Sequence, residues 1–441
     1  MLRVGFISSK VFTDAGYIDA RIVAGVLAAA RAHALFEPRC YVLRPRSSGA
    51  PRWPRVTAHC ASVTDLGHPA NLSAEEAAAA IRADGVHAVV DLDGPSARLP
   101  VALHAILARL GEAKAVLRVA AVGFLGPQDA RVVDYTAGDA LTVPDAALPF
   151  YRIGGGGGGV LRLPPPVWPC PRRASGFDDD GGTRDAILPA GGSDRAARRA
   201  RLFGDGDAFV FAAFNPPHKL HPRLFRAWMR VLSRTAPGGA RPPSKLWLFF
   251  SAGSRSAEHA AFARLRGAAA ALGVDPTRLV HASTIPRAAH ARRLPLADLA
   301  LDSAPCNGGG TTCDLLAAGV PVVSLGPAAF GAGGENRGMY SGLGASLLSA
   351  AGLGSLVAGS WEEYEDLAVA LAARSNKLRL AAIRHSLLQA PLLPVFDTER
   401  WTRQFAVGLR ATWRRHAAGL PAAGVIDVAE EGGEIERLVD G

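Results

Sequence analysis

LADLALDSAPCNGGGTTCDLLAAGVPVVSLG, residues 296–326, decides how the chain reads. An apolar strand-like run (296–303) meets a turn of three glycines and two threonines. An Ala/Leu-rich run of helical character and a second strand (VPVVSLG, 320–326) follow. Strand, turn, helix and strand make the repeat of a parallel sheet with crossover helices. A Gly-rich turn opening a helix leaves backbone N–H groups unpaired, with the positive end of the helix dipole behind them. Such a turn suits an anion, most often a phosphate. The turn holds Gly309, Gly310, Thr311 and Thr312, and Asp314 lies about one helical turn further on, where a carboxylate can accept bonds from a ribose. A plain Gly/Thr turn is the alternative reading until its context agrees.

Working outward, the second half repeats the same alternation. DAFVFAAFN (207–215), KLWLFFSAG (245–253) and RLVHAS (278–283) read as strands, while 222–234 and 257–272 read as helices. The loop FNPPHKLHP (214–222), where a strand hands over to a helix, carries Asn215 and Lys219. In a chain with lysines only at 10, 114, 219, 245 and 377, a Lys there suits a diphosphate as a compact cation. In TIPRAAHARR (284–293), Arg287, His290 and Arg293 fall at i, i+3 and i+6, one face of a short helix that can meet a base. The first half alternates too: strands at 2–9, 40–45 and 85–94, two short ones at 117–123 and 132–135, and helices at 18–34 and 73–83. The second of these helices opens with a Ser73/Glu76 capping box. Asp91 and Asp93 form a DLD at a strand end, read as a turn rather than a metal site because no other ligand cluster accompanies them. Two such halves predict an α/β fold of two facing Rossmann-like doubly wound domains, with binding at the carboxyl ends of the strands and in a cleft between them.

The boundaries read as an N-terminal Rossmann-like domain at 1–170, a linker at 171–206 and a second Rossmann-like domain at 207–395. A C-terminal helix at 396–419 and a flexible acidic, Gly-rich tail at 420–441 complete the chain. Trp401, Phe405, Leu409 and Trp413 repeat every four residues and make that helix a docking helix. The six glycines 154–159 read as linker, since no strand–turn–helix follows them.

Composition narrows the function classes. A chain of 441 residues with 49% hydrophobic content has room for two or three packed domains. No window carries the roughly 20 apolar residues of a membrane span, and the start lacks a secretory pattern, so the expectation is a cytoplasmic protein, with the nucleus as a further compartment, and no membrane partner. The net charge of +10 is spread as Arg along the chain rather than blocked, and nucleic acid is not expected as a partner. Five scattered cysteines without CxxC spacing indicate neither a disulfide framework nor a zinc site, and no metal or cofactor is expected.

In their order and spacing, FNPPHKLHP, TIPRAAHARRLPLADLALDSAPCNGGGTTCDLLAAGVPVVSLG and SWEEYEDLAVALA (360–372) resemble the catalytic region of the O-linked N-acetylglucosamine transferase and Spindly family. The resemblance spans about residues 207–418 and is traceable earlier in RVGFISS, DGVHAVVDLDG and VGFLGPQDARVVDY. It implies a glycosyltransferase-B architecture, with the 1–170 domain on the acceptor side and the 207–395 domain binding the nucleotide sugar, and metal-independent transfer with inversion from a UDP-sugar to Ser/Thr hydroxyls of protein acceptors. N-acetylglucosamine is the first choice of sugar. A catalytically weak nucleotide-sugar-binding homologue, or a transferase using GDP-fucose, is the alternative. By the same resemblance Lys219 contacts the diphosphate, His290 and Arg293 the base and nucleotide, Gly310, Thr311 and Thr312 the phosphates, and Asp314 the ribose. The family's His-Pro pair after the first strand is missing from SSKVFTDAGYIDAR (8–21), where Asp14 stands about in the place of the His and is a candidate base. His218 and Gly309 stand where animal members have Tyr and His, and the tetratricopeptide repeats that often precede this region are absent from the sequence.

Overall fold

The computed structural model describes residues 1–12, 18–44, 54–68, 71–96, 100–112, 115–123, 126–151, 158–170, 192–235, 244–250, 254–330, 338–389, 393–422, 424–428 and 434–437. The chain divides into two compact units, one made of Met1–Phe177 with Pro394–Gly441, the other of Asp178–Leu393. In chain order the strands are β1 (Arg3–Ser8), β2 (Glu37–Leu43), β3 (Ser62–Gly67), β4 (Ala88–Asp91), β5 (Leu117–Ala120), β6 (Tyr135–Gly138) and β7 (Gly159–Arg162). Then come β8 (Phe209–Ala213), β9 (Ser244–Phe249), β10 (Leu279–Ala282), β11 (Leu299–Leu301), β12 (Val322–Leu325), β13 (Val357–Ala358), β14 (Val425–Val428) and β15 (Glu434–Arg437).

The first unit holds a nine-stranded sheet in the order β15-β14-β7-β6-β5-β4-β1-β2-β3. Every pairing is parallel except that of β14 with β15. The winding reverses between β1 and β4, where Ile7 lies opposite Asp91. The second unit holds six parallel strands in the order β10-β9-β8-β11-β12-β13, and its winding reverses between β8 and β11. Central strands such as β8 (FVFAA) and β4 (AVVD) are buried at every position, which is why they read as unbroken apolar runs rather than as alternations. In both sheets the point of reversal leaves a crevice at the carboxyl ends of the strands, the place where doubly wound sheets bind ligands.

Local signals are realised residue by residue. Ser73 accepts from the backbone N–H of Glu76 while the Glu76 carboxylate accepts from that of Ser73, closing the capping box of helix Ala74–Ala83. Helix Thr398–Ala417 buries Trp401, Phe405 and Leu409 within the first unit, and Trp401 Nε1 donates to the Pro166 carbonyl at 3.1 Å. A Cβ added to Gly408 would come within 2.6 Å of Leu161 on β7, so the helix and the sheet touch at that glycine.

Four expectations change. Residues 425–428, placed in a flexible tail, form β14 and pair in parallel with β7, with Val425 and Ile426 buried. Residues 192–203, placed in the linker, form helix Gly192–Phe203, tied to the second unit by Arg199. The strand expected at 132–135 runs instead over Tyr135–Gly138; Asp134, just before it, accepts from Arg118 on β5 at 2.6 Å. Cys40 on β2 and Cys60 just before β3 are joined in a disulfide, which a spacing of 20 residues without CxxC does not announce. The glycines 154–157 and the candidate base Asp14 lie outside the described residues. Among the described residues, no helix is long and apolar enough to cross a membrane.

Candidate functional site

The polar side chains singled out in the second half gather where the winding of the second sheet reverses, on the segments that leave β8 and β11. The chain leaves β8 through Phe214 and Asn215 into the short turn Pro217–Lys219. It leaves β11 through Asp302 and Ser303 into the glycine turn and then helix Gly310–Ala317.

Asp302 ties the two exits together. It is 2% exposed, and its Oδ1 accepts from Asn215 Nδ2 (3.1 Å) and from the backbone N–H groups of Ser303 (2.8 Å) and Gly308 (2.7 Å). Its Oδ2 accepts from Ser324 Oγ on β12 at 2.7 Å. Burial raises its carboxyl pKa, and these donors together with the Lys219 charge pull it back down. The Asp302 carbonyl accepts from the hydroxyl of the buried Tyr364 (2.9 Å), which in turn accepts from Trp228 Nε1 (3.0 Å). A residue tied on so many sides is a fastener, since a buried carboxylate persists only where donors surround it.

Asn307 is the second fastener. Its Nδ2 donates to the Ser303 carbonyl at 2.9 Å, its Oδ1 accepts from Gly344 N at 3.1 Å, and its N–H donates to the Tyr340 carbonyl at 3.0 Å. Lys219 Nζ donates to the Asn307 carbonyl at 2.6 Å, which brings its ammonium to the glycine turn. Close approach dictates the glycines: a Cβ on Gly308 would lie 2.8 Å from both Asn215 Oδ1 and Thr312 Oγ1, and one on Gly344 would lie 2.0 Å from Ser324 Oγ. Among the described residues, Asn215 Oδ1 is buried without a hydrogen-bond partner.

No side chain caps helix Gly310–Ala317, and its first intrahelical bond runs from Cys313 N to the Gly309 carbonyl. The N–H groups of Gly310, Thr311 and Thr312 therefore stand at the positive end of the dipole. Thr312 is buried, while Gly309, Gly310 and Thr311 are partly open.

The third wall is helix Arg287–Arg293. Its three chosen residues have different environments. Arg293 is 9% exposed and turns inward: Nη1 donates to the Ser283 carbonyl (3.0 Å), Nε donates to His290 Nδ1 (3.0 Å), and the guanidinium lies over Phe214 and Trp247. It is a strut for His290 rather than an open contact. Because His290 Nδ1 accepts, the imidazole carries its proton on Nε2. Burial, then the Arg293 charge, lower the His290 pKa to about 4, with Asp314 opposing, so the ring is neutral at pH 7. Its edge meets the Phe214 ring at 5.4 Å. Arg287 is half exposed and pairs with the Asp314 carboxylate at 3.3 Å.

Sequence reasoning missed Asp302, Asn307 and Ser324. One signal was present: an Asp closing an apolar strand (LADLALDS) must find buried donors or be pushed out to solvent. In the first unit, the DLD is a strand-end turn. Asp91 Oδ1 accepts from the N–H groups of Asp93 and Gly94, both at 2.9 Å, and Asp93 accepts from Ser8 Oγ at 2.6 Å. Among the described residues, no group of three or more His, Cys, Asp and Glu is arranged to hold a metal ion.

With this geometry in hand, the comparisons with known proteins agree with one another. The model of glycosyl transferase family 41 matches residues 196–405. A probable UDP-N-acetylglucosamine–peptide N-acetylglucosaminyltransferase of Arabidopsis thaliana is 36% identical over 217 residues, 48% of this chain and 20% of its own length. A UDP-N-acetylglucosamine–peptide N-acetylglucosaminyltransferase of Caenorhabditis elegans is 30% identical over 224 residues, 51% of this chain and 18% of its own length. The chain thus spans about a fifth of the length of these curated relatives. A solved mutant O-GlcNAc transferase of Thermobaculum terrenum superposes with a TM-score of 0.72 at 25% identity, covering 95% of this chain and 68% of that one. Both units are parallel-sheet α/β domains of the glycosyltransferase-B kind. Residues 196–405 thus match glycosyl transferase family 41, and the chain as a whole is similar in fold to a solved O-GlcNAc transferase.

Proposed function

We propose that the chain transfers a sugar from a nucleotide-sugar donor, N-acetylglucosamine from UDP-N-acetylglucosamine, to Ser/Thr hydroxyls of proteins with inversion at the sugar carbon. The observation that carries this reading is the convergence of Lys219, the uncapped start of helix Gly310–Ala317 and the neutral His290 at the reversal point of the second sheet. A cation and a row of oriented N–H groups stabilise the charge that collects on a departing diphosphate, and being fixed they need little reorganisation in the transition state. His290 Nε2 offers a donor to a base carbonyl, and the neutral ring can pack against a base. The Arg287–Asp314 pair is partly exposed and worth about 0–1 kcal/mol, so ribose hydroxyls can compete for the Asp314 carboxylate at little cost. UDP and protein acceptors are the partners this reading requires.

Titration calorimetry with UDP, run beside donor-hydrolysis and peptide-glycosylation assays, tests the proposal. Wild type should bind UDP and turn over the donor, and Lys219→Ala should weaken UDP by about tenfold or more through loss of a charge-assisted contact. Failure of wild type to bind UDP would sink the reading. Binding without turnover would favour a nucleotide-sugar-binding homologue, a reading motivated by His218, Gly309 and Asp14 at positions where the resemblance implies other residues.

A further inference from the structure

The second unit carries another concentration of positive charge, at the opposite ends of the same strands. Asp298 immediately precedes β11 and Asp207 lies just before β8, whereas the candidate donor residues follow these strands. Here an open cavity of about 640 Å³ is lined by Arg195, Arg199, Arg374, Lys377 and Arg384, with Asp207 and Asp298 the only carboxylates among its described lining residues.

Three of the cations form the floor, and their bonds explain why they are there. Asp298 accepts from Arg195 Nη2 (3.0 Å), Arg199 Nη2 (2.9 Å) and the backbone N–H of Val210 (2.8 Å). Arg199 also donates to the carbonyls of Gly206, Leu296 and Ala208, and Arg384 donates to those of Pro295 (3.2 Å) and Ala297 (2.7 Å). These bonds staple the entries of β8 and β11. Carbonyls orient a guanidinium but do not neutralise it, so one carboxylate is left facing three floor cations. The mutual repulsion is felt at Arg384, whose pKa is brought down to about 10 by burial and then by Arg195.

Stapling does not account for the rim. Arg374 and Lys377 are exposed, and neither is paired with a carboxylate among the described residues. They stand over the already positive floor, with Asp207 alone to offset them. Like charges converge on an open concavity at a cost, unless an anion occupies it.

We propose that this cavity is a second binding site, for a soluble compound bearing two or more phosphates. Its volume suits a small phosphorylated molecule. Arg195 and Arg384 have N–H groups beyond the bonds above and present a preset floor, while Arg199 adds charge alone because its five N–H groups are engaged. The Arg374 and Lys377 side chains close over the bound anion from the rim. The site is independent of the donor reading, because none of its residues belongs to the glycine turn or to helix Arg287–Arg293.

The probe is inorganic pyrophosphate, titrated calorimetrically at fixed ionic strength. Because the donor turn also attracts diphosphate, wild type is compared with Lys219→Ala and with the double variant Arg374→Ala/Lys377→Ala. The expected result is binding that persists in Lys219→Ala and falls about tenfold or more in the double variant, whose UDP affinity stays within about twofold of wild type. Retained UDP binding certifies that the double variant is folded. The proposal is overturned if Lys219→Ala alone abolishes pyrophosphate binding, or if the double variant binds pyrophosphate as tightly as wild type. An equal loss caused by chloride at the same ionic strength would likewise reduce the cavity to nonspecific attraction.

Discussion

Replacing Asp302 with Ala removes one acceptor from four donors at once: Asn215 Nδ2, Ser303 N, Gly308 N and Ser324 Oγ. A buried donor left without a partner costs about 1–3 kcal/mol, so the gross loss is of the order of 4–12 kcal/mol. Two effects act against it. Burial has already raised the pKa of this carboxyl, so its removal relieves a desolvation penalty. The vacated space can also admit a water that restores one or two bonds. A net loss of roughly 3–5 kcal/mol follows, a large part of the stability of an ordinary domain. Asp302→Asn separates fastening from charge. Its carbonyl oxygen can still serve Gly308, Ser303 and Asn215, while its amide can donate to Ser324 Oγ, so about 1 kcal/mol is expected. The assays are urea unfolding followed by fluorescence and UDP titration under conditions where both variants are folded. UDP binding should weaken about tenfold or more in Asp302→Ala and only a few-fold in Asp302→Asn. If Asn proves as damaging as Ala, the negative charge matters rather than the fastening, and if Ala binds UDP like wild type, the turn holds itself and the argument fails.

Three further outcomes follow from the packing and burial of particular residues. Gly308→Ala puts a Cβ 2.8 Å from Asn215 Oδ1 and from Thr312 Oγ1, so the turn must shift; a loss of about 1–3 kcal/mol in thermal unfolding and about tenfold in UDP affinity is expected, and wild-type behaviour would show the turn is not tightly packed. The Asp19 carboxyl, pushed up to about 7 by burial and then by Asp93, keeps its proton in the folded state where the unfolded chain releases it near pH 4, so its contribution is present below that pH and is lost as pH rises through 7. Asp19→Asn should therefore match wild type at pH 4 and exceed it at pH 8 by a difference on the order of 2–4 kcal/mol, and parallel stability curves would contradict this. For His290, with its pKa lowered to about 4, the sign is opposite: its contribution is present above about 6.5 and is lost as pH falls toward 4, and an NMR titration giving an imidazole midpoint between 6 and 7 would refute the buried, neutral ring.

The legible parts of the fold are those whose signals are local or whose burial is complete. The central strands β4, β8 and β12 are apolar at nearly every position because both faces are covered, and a run such as FVFAA has few other readings. Helix Pro222–Arg234 falls on its expected bounds because Pro222 fixes the start and Leu224, Phe225, Trp228, Val231 and Leu232 mark one buried side. The strands that escaped notice sit toward the outer parts of the sheets: β3, β7, β14 and β15 in the first, and β13 at the edge of the second. β3 (SVTDLG) is half polar, β7 follows a run of glycines, and β14 is four residues in acidic, Gly-rich surroundings. Each of them is a strand because a neighbour offers a ladder, and that neighbour can be far away: Val425 pairs with Val160. Propensity at such positions is decided by context.

The same division explains what was legible of the candidate site. Lys219, His290 and the Gly/Thr turn stand out because they are unusual residues at the ends of regular elements, as the proposed ligand-facing role requires. Asp302 and Asn307 do not stand out, since a fastener is recognisable only by its partners, and those are scattered from Asn215 to Tyr364. This has a consequence for how the site tolerates change. On the proposed reading the contacts offered to an anion come from one side chain and from backbone N–H groups, whereas the geometry of those N–H groups comes from residues that need not touch the ligand at all. On the proposed reading Gly309, at the start of the helix, lies among the contacts and can vary at the cost of a contact. Asp302, Asn307, Gly308 and Gly344 lie among the fasteners, and at the two glycines even one methyl group meets atoms already within van der Waals distance. Donor binding should therefore survive substitutions in the visible motif better than substitutions in the strand exits beneath it.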